Sequence, residues 1–243
     1  RHRDRRGYRS KMTRRTVLVT GAAGGLGTAV AEAFRAHGDD LAIVDRDIDE
    51  LAALGDALDA ATFALDVAEE NAWRAVVESL PQLDVLVTCA GISHQDPLLS
   101  TSVSDFRRVL DVNLVGTHNA VRACLPALFR SDAPAIIMIG SMIAHGSIER
   151  RSAYTSSKWG VRGLAKSIAL ELAPSNVRVV TVHPGLMATD MLLQGDRGVD
   201  AIVKSNRRRL PLGRLAQPSE VANAVVWASS PAASYVTGAD LDV

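Results

Sequence analysis

Cysteine is scarce: Cys89 and Cys124 are the only two among 243 residues. They lie far apart in apolar segments and lack metal-ligand spacing. The reading is two buried free thiols, no bound metal and a reducing, cytoplasmic compartment. Long hydrophobic runs are also missing. Hydrophobic residues make up 47 % of the chain, yet none of its runs approaches the roughly 18 apolar residues of a membrane span, so it reads as soluble with no membrane partner. Net charge is absent as well, with 27 Lys and Arg against 27 Asp and Glu, which argues against nucleic acid as a partner. No repeat, low-complexity tract or linker divides the chain, and its length suits one fairly large domain.

The charge balance fails in one place. Residues 1–11 hold six Lys and Arg against one Asp, a local +5 that leaves −5 for the remainder. The tract has no apolar periodicity and no core of the kind a secretory signal needs. Residues 1–12 therefore read as a basic, disordered extension before a domain spanning 13–243.

What is present is an alternation. Thr16–Thr20 is a short, continuous, β-branched apolar run, the pattern of a strand covered on both faces. A glycine-rich turn follows, Gly21-Ala22-Ala23-Gly24-Gly25-Leu26-Gly27, and then a helical stripe through Ala29, Val30, Ala33 and Phe34. Backbone N–H groups at a helix N-terminus can hold a pyrophosphate where no Cβ blocks close approach, so Gly21, Gly24, Gly25, Leu26 and Gly27 are candidate dinucleotide contacts. Leu41–Asp45 predicts a second strand ending in an acid eighteen residues after Gly27, the distance at which a carboxylate meets an adenosine ribose. Such a carboxylate accepts from both ribose hydroxyls and repels a 2′-phosphate, which favours NAD over NADP. Arg46 could offer that phosphate a partner, and Asp45 could instead cap a helix starting near Ile48.

Further strands are predicted at 61–65, 84–88, 135–140 and 177–183, with a last one after Tyr235. The third ends at Asp66-Val67 and the fourth at Cys89-Ala90-Gly91. Helices are predicted at about 68–80, 105–129, 154–173 and 217–228. Strands alternating with helices of this length give an α/β fold: a single-domain Rossmann fold, with a doubly wound parallel sheet of about seven strands and helices on both faces. The fifth strand delivers Ser141 at its carboxyl end, where open α/β sheets place ligands. Asn113 falls in the middle of a helical pattern it suits poorly. Tyr154 and Lys158, four residues apart, share one helix face. Residues 186–209 loosen in composition and read as a mobile lid.

Thr20-Gly21-x3-Gly25-x-Gly27, Asn113, Ser141, Tyr154-x3-Lys158 and Pro184-Gly185-x3-Thr189 together resemble the short-chain dehydrogenase/reductase family in its smaller form, from about Thr16 to Val243. The resemblance implies hydride transfer between a nicotinamide cofactor and a secondary alcohol or ketone. Tyr154 would be the general base, with Lys158 favouring its phenolate and holding the nicotinamide ribose. Ser141 would orient the substrate oxygen, and Asn113 would hold a water relaying protons to Lys158. Asp66, Val67, Ala90, Gly91, Pro184, Gly185 and Thr189 would complete the cofactor contacts. A homotetramer, or a dimer, would pack through the Asn113 and Tyr154 helices. The family's enoyl reductases usually place Tyr and Lys farther apart.

Two positions depart from the family. Its usual Asn-Asn-Ala-Gly is Thr88-Cys89-Ala90-Gly91 here, which predicts altered sheet bonding rather than lost binding, and its Asp-Gly-Gly tail does not follow Leu241. Candidate substrate-pocket residues are His94, Met142, Ile143, His145, Glu149, Leu186, Met187 and Met191, with His145 reading as a solvated loop residue. A catalytically silent NAD-binding regulator is the rival reading, because fold alone proves no activity.

Overall fold

A computed structural model describes residues 14–189, 192 and 198–243. The basic extension at 1–12, Met191 and part of the expected lid lie outside the described residues. Seven parallel strands form one sheet in the order β3-β2-β1-β4-β5-β6-β7. They are β1 (Thr16–Thr20), β2 (Asp40–Asp45), β3 (Ala61–Ala64), β4 (Val85–Thr88), β5 (Ala135–Ile139), β6 (Arg178–His183) and β7 (Ala239–Asp242). β1 has β2 on one side and β4 on the other, so the chain reverses its direction of travel across the sheet there. In a doubly wound sheet the crevice above that reversal receives the ligand.

Strand periodicity divides the core between two helix layers. Val17 and Val19 of β1, Val85 and Val87 of β4, and Ile137 and Ile139 of β5 face one layer. It is built from α1 (Gly25–Ala36), α2 (Ile48–Leu58) and the later α8 (Pro218–Ser229), through Val30, Phe34, Leu51, Val221 and Val225. Leu18, Leu86, Ile136 and Met138 face the opposite layer, where Trp73, Ala120, Leu128, Val161 and Ala165 pack. Trp73 comes from the 3₁₀ turn Glu70–Trp73, Ala120 and Leu128 from α5 (Gly116–Leu128), and Val161 and Ala165 from α6 (Ser152–Leu172); α3 (Arg74–Ser79) adds Val76 to the same layer, and α4 (Val103–Leu110) runs ahead of α5. The central strands are buried on both faces, which explains their unbroken apolar runs. Each fully buried Val, Leu or Ile contributes about 1.5 to 3 kcal/mol.

Two expected helices differ. The stretch predicted as one helix over 105–129 is split into α4 and α5 by a π turn, Asp111–Val115, centred on Asn113. The stretch at 68–80 is a 3₁₀ turn followed by the short α3. Beyond β6, Met187 bridges to Ala216, and Leu186, Ala188, Leu192, Ile202, Leu210 and Leu215 form a small cluster with α7 (Val199–Ser205). The described part of the expected lid thus has an apolar core of its own. Among the described residues no helix is long and apolar enough to cross a membrane.

Candidate active site

A cleft of about 540 Å³ opens along the carboxyl ends of β1, β2, β4, β5 and β6. Every predicted cofactor residue lines it: Gly21, Gly24, Gly25, Leu26, Gly27, Asp45, Arg46, Asp66, Val67, Ala90, Gly91, Tyr154, Lys158, Pro184, Gly185 and Thr189. Ser141 lines it as well, and the volume lies in the range of small-molecule and cofactor sites.

The glycines are required by close approach. Gly21 has φ +65, and a Cβ there would lie 2.6 Å from the Ala90 backbone; a Cβ on Gly27 would lie 2.0 Å from the Gly21 carbonyl oxygen. The turn is thereby pressed against both the β4 loop and the start of α1. Gly24 caps α1 with no side-chain bond, and the first turn carries no acid, which leaves that helix end open to an anion. These features fit a pyrophosphate. At the β2 end, Asp45 Oδ2 accepts from the Ala23 N–H at 2.9 Å and Oδ1 from Arg46 N–H at 2.7 Å. The cap of α2 is Asp47, which accepts from Glu50 N–H, so Asp45 does not serve as the helix cap.

Asn113 sits behind the cleft, fully buried. Its Oδ1 accepts from Ile92 N–H at 2.8 Å, and its Nδ2 donates to the Ile92 carbonyl at 3.0 Å and to Ser157 Oγ at 2.9 Å. The side chain therefore clamps the β4 loop to α6, and its amide is occupied by protein groups. Gly91 allows this closeness: a Cβ there would meet Asn113 Oδ1 at 3.3 Å and Lys158 Nζ at 3.6 Å.

Tyr154 and Lys158 share a face of α6, with Lys158 Nζ 5.8 Å from the centre of the Tyr154 ring. Lys158 Nζ donates to the Ile139 carbonyl at the end of β5, at 2.9 Å. Burial lowers its pKa to about 8, opposed by the Cys89 thiol. Burial raises the Tyr154 phenol, and the groups that pull it back are Ser141, by hydrogen bonding, and the Arg151 charge. Ser141 caps a 3₁₀ turn, Met142–His145, accepting from Ile143 N–H. Arg151, one turn before Tyr154, donates to Ser93 Oγ at 2.7 Å and Gln95 Oε1 at 2.8 Å.

The other pocket candidates separate. Met187 lines the cleft, whereas Ile143 is buried and Leu186 belongs to the apolar cluster beside α7. His145 is exposed at the end of the 3₁₀ turn, as expected of a solvated residue, and it also has partners: its Nε2 lies 2.9 Å from Asp242 Oδ1, and its ring stands edge-on to His183 at 4.6 Å between centres. His94 Nε2 lies 3.2 Å from Asp96 Oδ2. Met142 and Glu149 are exposed. Cys89, in the family's Asn position, lines the cleft with its pKa pushed up to about 12 by burial, partly offset by Lys158. Reading the sequence missed Ala23, Asp47, Glu50, Ile92, Ile139 and Gly140 in the cleft wall, and the buried His183 behind Ser141. Their shared signal is position, within a few residues of a strand's carboxyl end.

A family model described as enoyl-(acyl carrier protein) reductase matches residues 21–243. A trans-4-hydroxycyclohexanecarboxylate dehydrogenase of Sinomonas cyclohexanicum is 34 % identical over 96 % of this chain and 92 % of its own. A galactitol 2-dehydrogenase (L-tagatose-forming) of Cereibacter sphaeroides is 37 % identical, over 93 % and 91 %. The crystal structure of a 3-ketoacyl-(acyl-carrier-protein) reductase from Brucella melitensis complexed with NADH superposes with a TM-score of 0.87 at 30 % identity, covering 94 % of this chain and 96 % of that one.

Proposed function

The chain belongs to the short-chain dehydrogenase/reductase family, and on that premise we propose that it transfers a hydride between NAD(H) and a secondary alcohol or its ketone, with Tyr154 as general acid and base. The observation that carries this reading is that Tyr154, Lys158, Ser141, Asp45 and the glycine turn line one cleft. A nicotinamide dinucleotide supplies the hydride donor or acceptor when bound. Gly21, Gly24, Gly25, Leu26 and Gly27 with the open end of α1 hold its pyrophosphate. With Oδ1 accepting from the Arg46 and Asp47 N–H groups and Oδ2 from Ala23, Asp45 keeps one site on Oδ2 for a ribose hydroxyl, and its charge disfavours a 2′-phosphate, so NAD is preferred to NADP. Asp66 and Val67 border the adenine. Ala90, Gly91, Pro184, Gly185 and Thr189 border the nicotinamide half, and Lys158 holds its ribose.

Ser141 holds the substrate oxygen toward the Tyr154 hydroxyl. Because burial raises the phenol, Tyr154 is protonated at neutral pH and ready to donate to a ketone oxygen. Alcohol oxidation needs the phenolate, and hence added positive charge beside the ring. Asn113 keeps the β4 loop and α6 in register. The three-residue interval between Tyr154 and Lys158 supports carbonyl rather than enoyl chemistry, as do relatives named for a ring alcohol and a polyol. The exposed Trp159, Leu170 and Val115 on and beside α6 support a homotetramer or dimer packed through the Asn113 and Tyr154 helices. The free Cys89 and Cys124 fit a cytoplasmic setting.

The test is an NAD⁺-reduction screen over sterol, sugar, dihydrodiol and hydroxyacyl alcohols, repeated with Tyr154→Phe. The variant should lose turnover while still binding NADH; a variant keeping about a tenth of the activity would sink the role given to Tyr154.

A further inference from the structure

Behind Ser141 lies a buried polar cluster that the proposed reaction does not use. His183, the last residue of β6, is fully buried. Its Nδ1 lies 3.2 Å from the Ser141 backbone nitrogen and 3.0 Å from the Ser141 carbonyl oxygen. Its Nε2 faces Asp240 Oδ1 at 3.2 Å. The other Asp240 oxygen accepts from Arg162 Nε and Lys166 Nζ, both at 2.9 Å. Arg162 also donates to the Ala144 carbonyl at 3.1 Å, in the turn that Ser141 caps. The strand end is shaped around the imidazole: a Cβ on Gly140 would fall 2.4 Å from His183 Nδ1.

Two relationships make this more than a buried ion pair. First, Tyr154, Lys158, Arg162 and Lys166 succeed one another at intervals of four on α6, so the helix that carries the phenol also carries both cations gripping Asp240. Second, two basic partners keep Asp240 ionised, and an ionised carboxylate facing Nε2 requires the proton on Nε2. Burial lowers the His183 pKa and keeps the ring neutral, so Nδ1 carries a lone pair that accepts the Ser141 N–H, and its 3.0 Å approach to the Ser141 carbonyl is a packing contact rather than a hydrogen bond.

We propose that His183 is a positioning residue for Ser141, with Asp240 fixing its tautomer and tying the Ser141 strand end to the helix that carries Tyr154. The inference rests on the reading of Ser141 and Tyr154 as the pair that meets the substrate oxygen. Ser141 reaches the cleft from β5 and Tyr154 from α6, and this cluster fixes one against the other. Misplacement by about 1 Å at such a pair can lower a rate a hundredfold.

The experiment is nitrogen-15 NMR of the full chain, wild type against His183→Asn and Asp240→Asn, with turnover of trans-4-hydroxycyclohexanecarboxylate and NAD⁺ measured in parallel. The wild-type ring should show the Nε2–H form. Asp240→Asn should abolish that preference and move the Ser141 amide resonance, while the amides of α1 stay in place. In turnover, His183→Ala should lower kcat about tenfold to a hundredfold with the KM for NAD⁺ unchanged. His183→Asn, whose amide oxygen can accept the Ser141 N–H, should recover part of that loss. An Nδ1–H ring in the wild type, or a Ser141 amide indifferent to both variants, overturns the inference whatever the activity. Absent turnover of every alcohol in the screen, with the NMR signature intact, counts against the assigned reaction and leaves the placement of Ser141 by His183 supported. Should His183→Ala not fold, Asp240→Asn carries the kinetic comparison.

Discussion

Lys158 Nζ lies 5.8 Å from the centre of the Tyr154 ring and spends a hydrogen bond on the Ile139 carbonyl, at 2.9 Å. The ammonium is thus held by the sheet while it faces the cleft. Its pKa of about 8, lowered by burial, sits below the value of about 10.4 expected for the unfolded chain. Between those values the unfolded state binds more protons, so this group makes stability rise with pH from about 8 to 10, by up to about 3 kcal/mol. Cys89 and Cys124, pushed up to about 12 by burial, act in the opposite sense above about pH 9, because the native state retains protons that the unfolded chain has lost. Urea unfolding of wild type and Lys158→Met should therefore show a stability difference that shifts in favour of wild type between pH 8 and 10. A difference flat across that range would mean that Lys158 is not held with a lowered pKa.

Asn113→Ala should destabilise the protein by about 2 to 5 kcal/mol, because it leaves the Ile92 N–H, the Ile92 carbonyl and Ser157 Oγ without their buried partner. The midpoint in urea measures this. A loss below about 1 kcal/mol would show that water replaces the amide without penalty.

Asp45→Ala should weaken NAD⁺ binding more than NADP⁺ binding, measured by titration of the purified protein. Both should fall somewhat, since Asp45 also holds the Ala23 N–H of the glycine turn. Equal losses would reduce Asp45 to a support of that turn.

Gly27→Ala should abolish dinucleotide binding and lower the melting temperature, because the added methyl would lie 2.0 Å from the Gly21 carbonyl oxygen, a rigid backbone atom. Gly38→Ala makes the complementary control: there φ is +85 and nothing lies within 4 Å, so backbone strain operates without crowding and cofactor binding should persist.

Legibility followed sequence separation. β1 was read to the residue, since a doubly covered strand advertises itself as an unbroken β-branched run. The cleft residues were legible because strand ends and glycines mark themselves locally. The break at Asn113 was harder: the apolar stripe runs on through 111–115, and the π turn is imposed by bonds to Ile92 and Ser157, which lie 21 and 44 residues away. The anchor of Lys158 is hidden from the sequence for a related reason. Helix spacing brings it to the face of Tyr154, but only the fold presents the competing Ile139 carbonyl. His183 and Asp240 stand 57 residues apart, and no local pattern announces that β6 and β7 are neighbours.

The all-parallel sheet has a kinetic consequence. No strand can pair with its neighbour through a tight turn, and the β1–β4 junction joins segments 68 residues apart, as in the bond from Thr16 to Asp84. Such a topology has high contact order, so folding is slow and its central closure comes after the helices have formed. The crevice spans that junction. Competence to bind a dinucleotide during refolding therefore reports the closure of β1 onto β4, and helical circular dichroism should recover ahead of it.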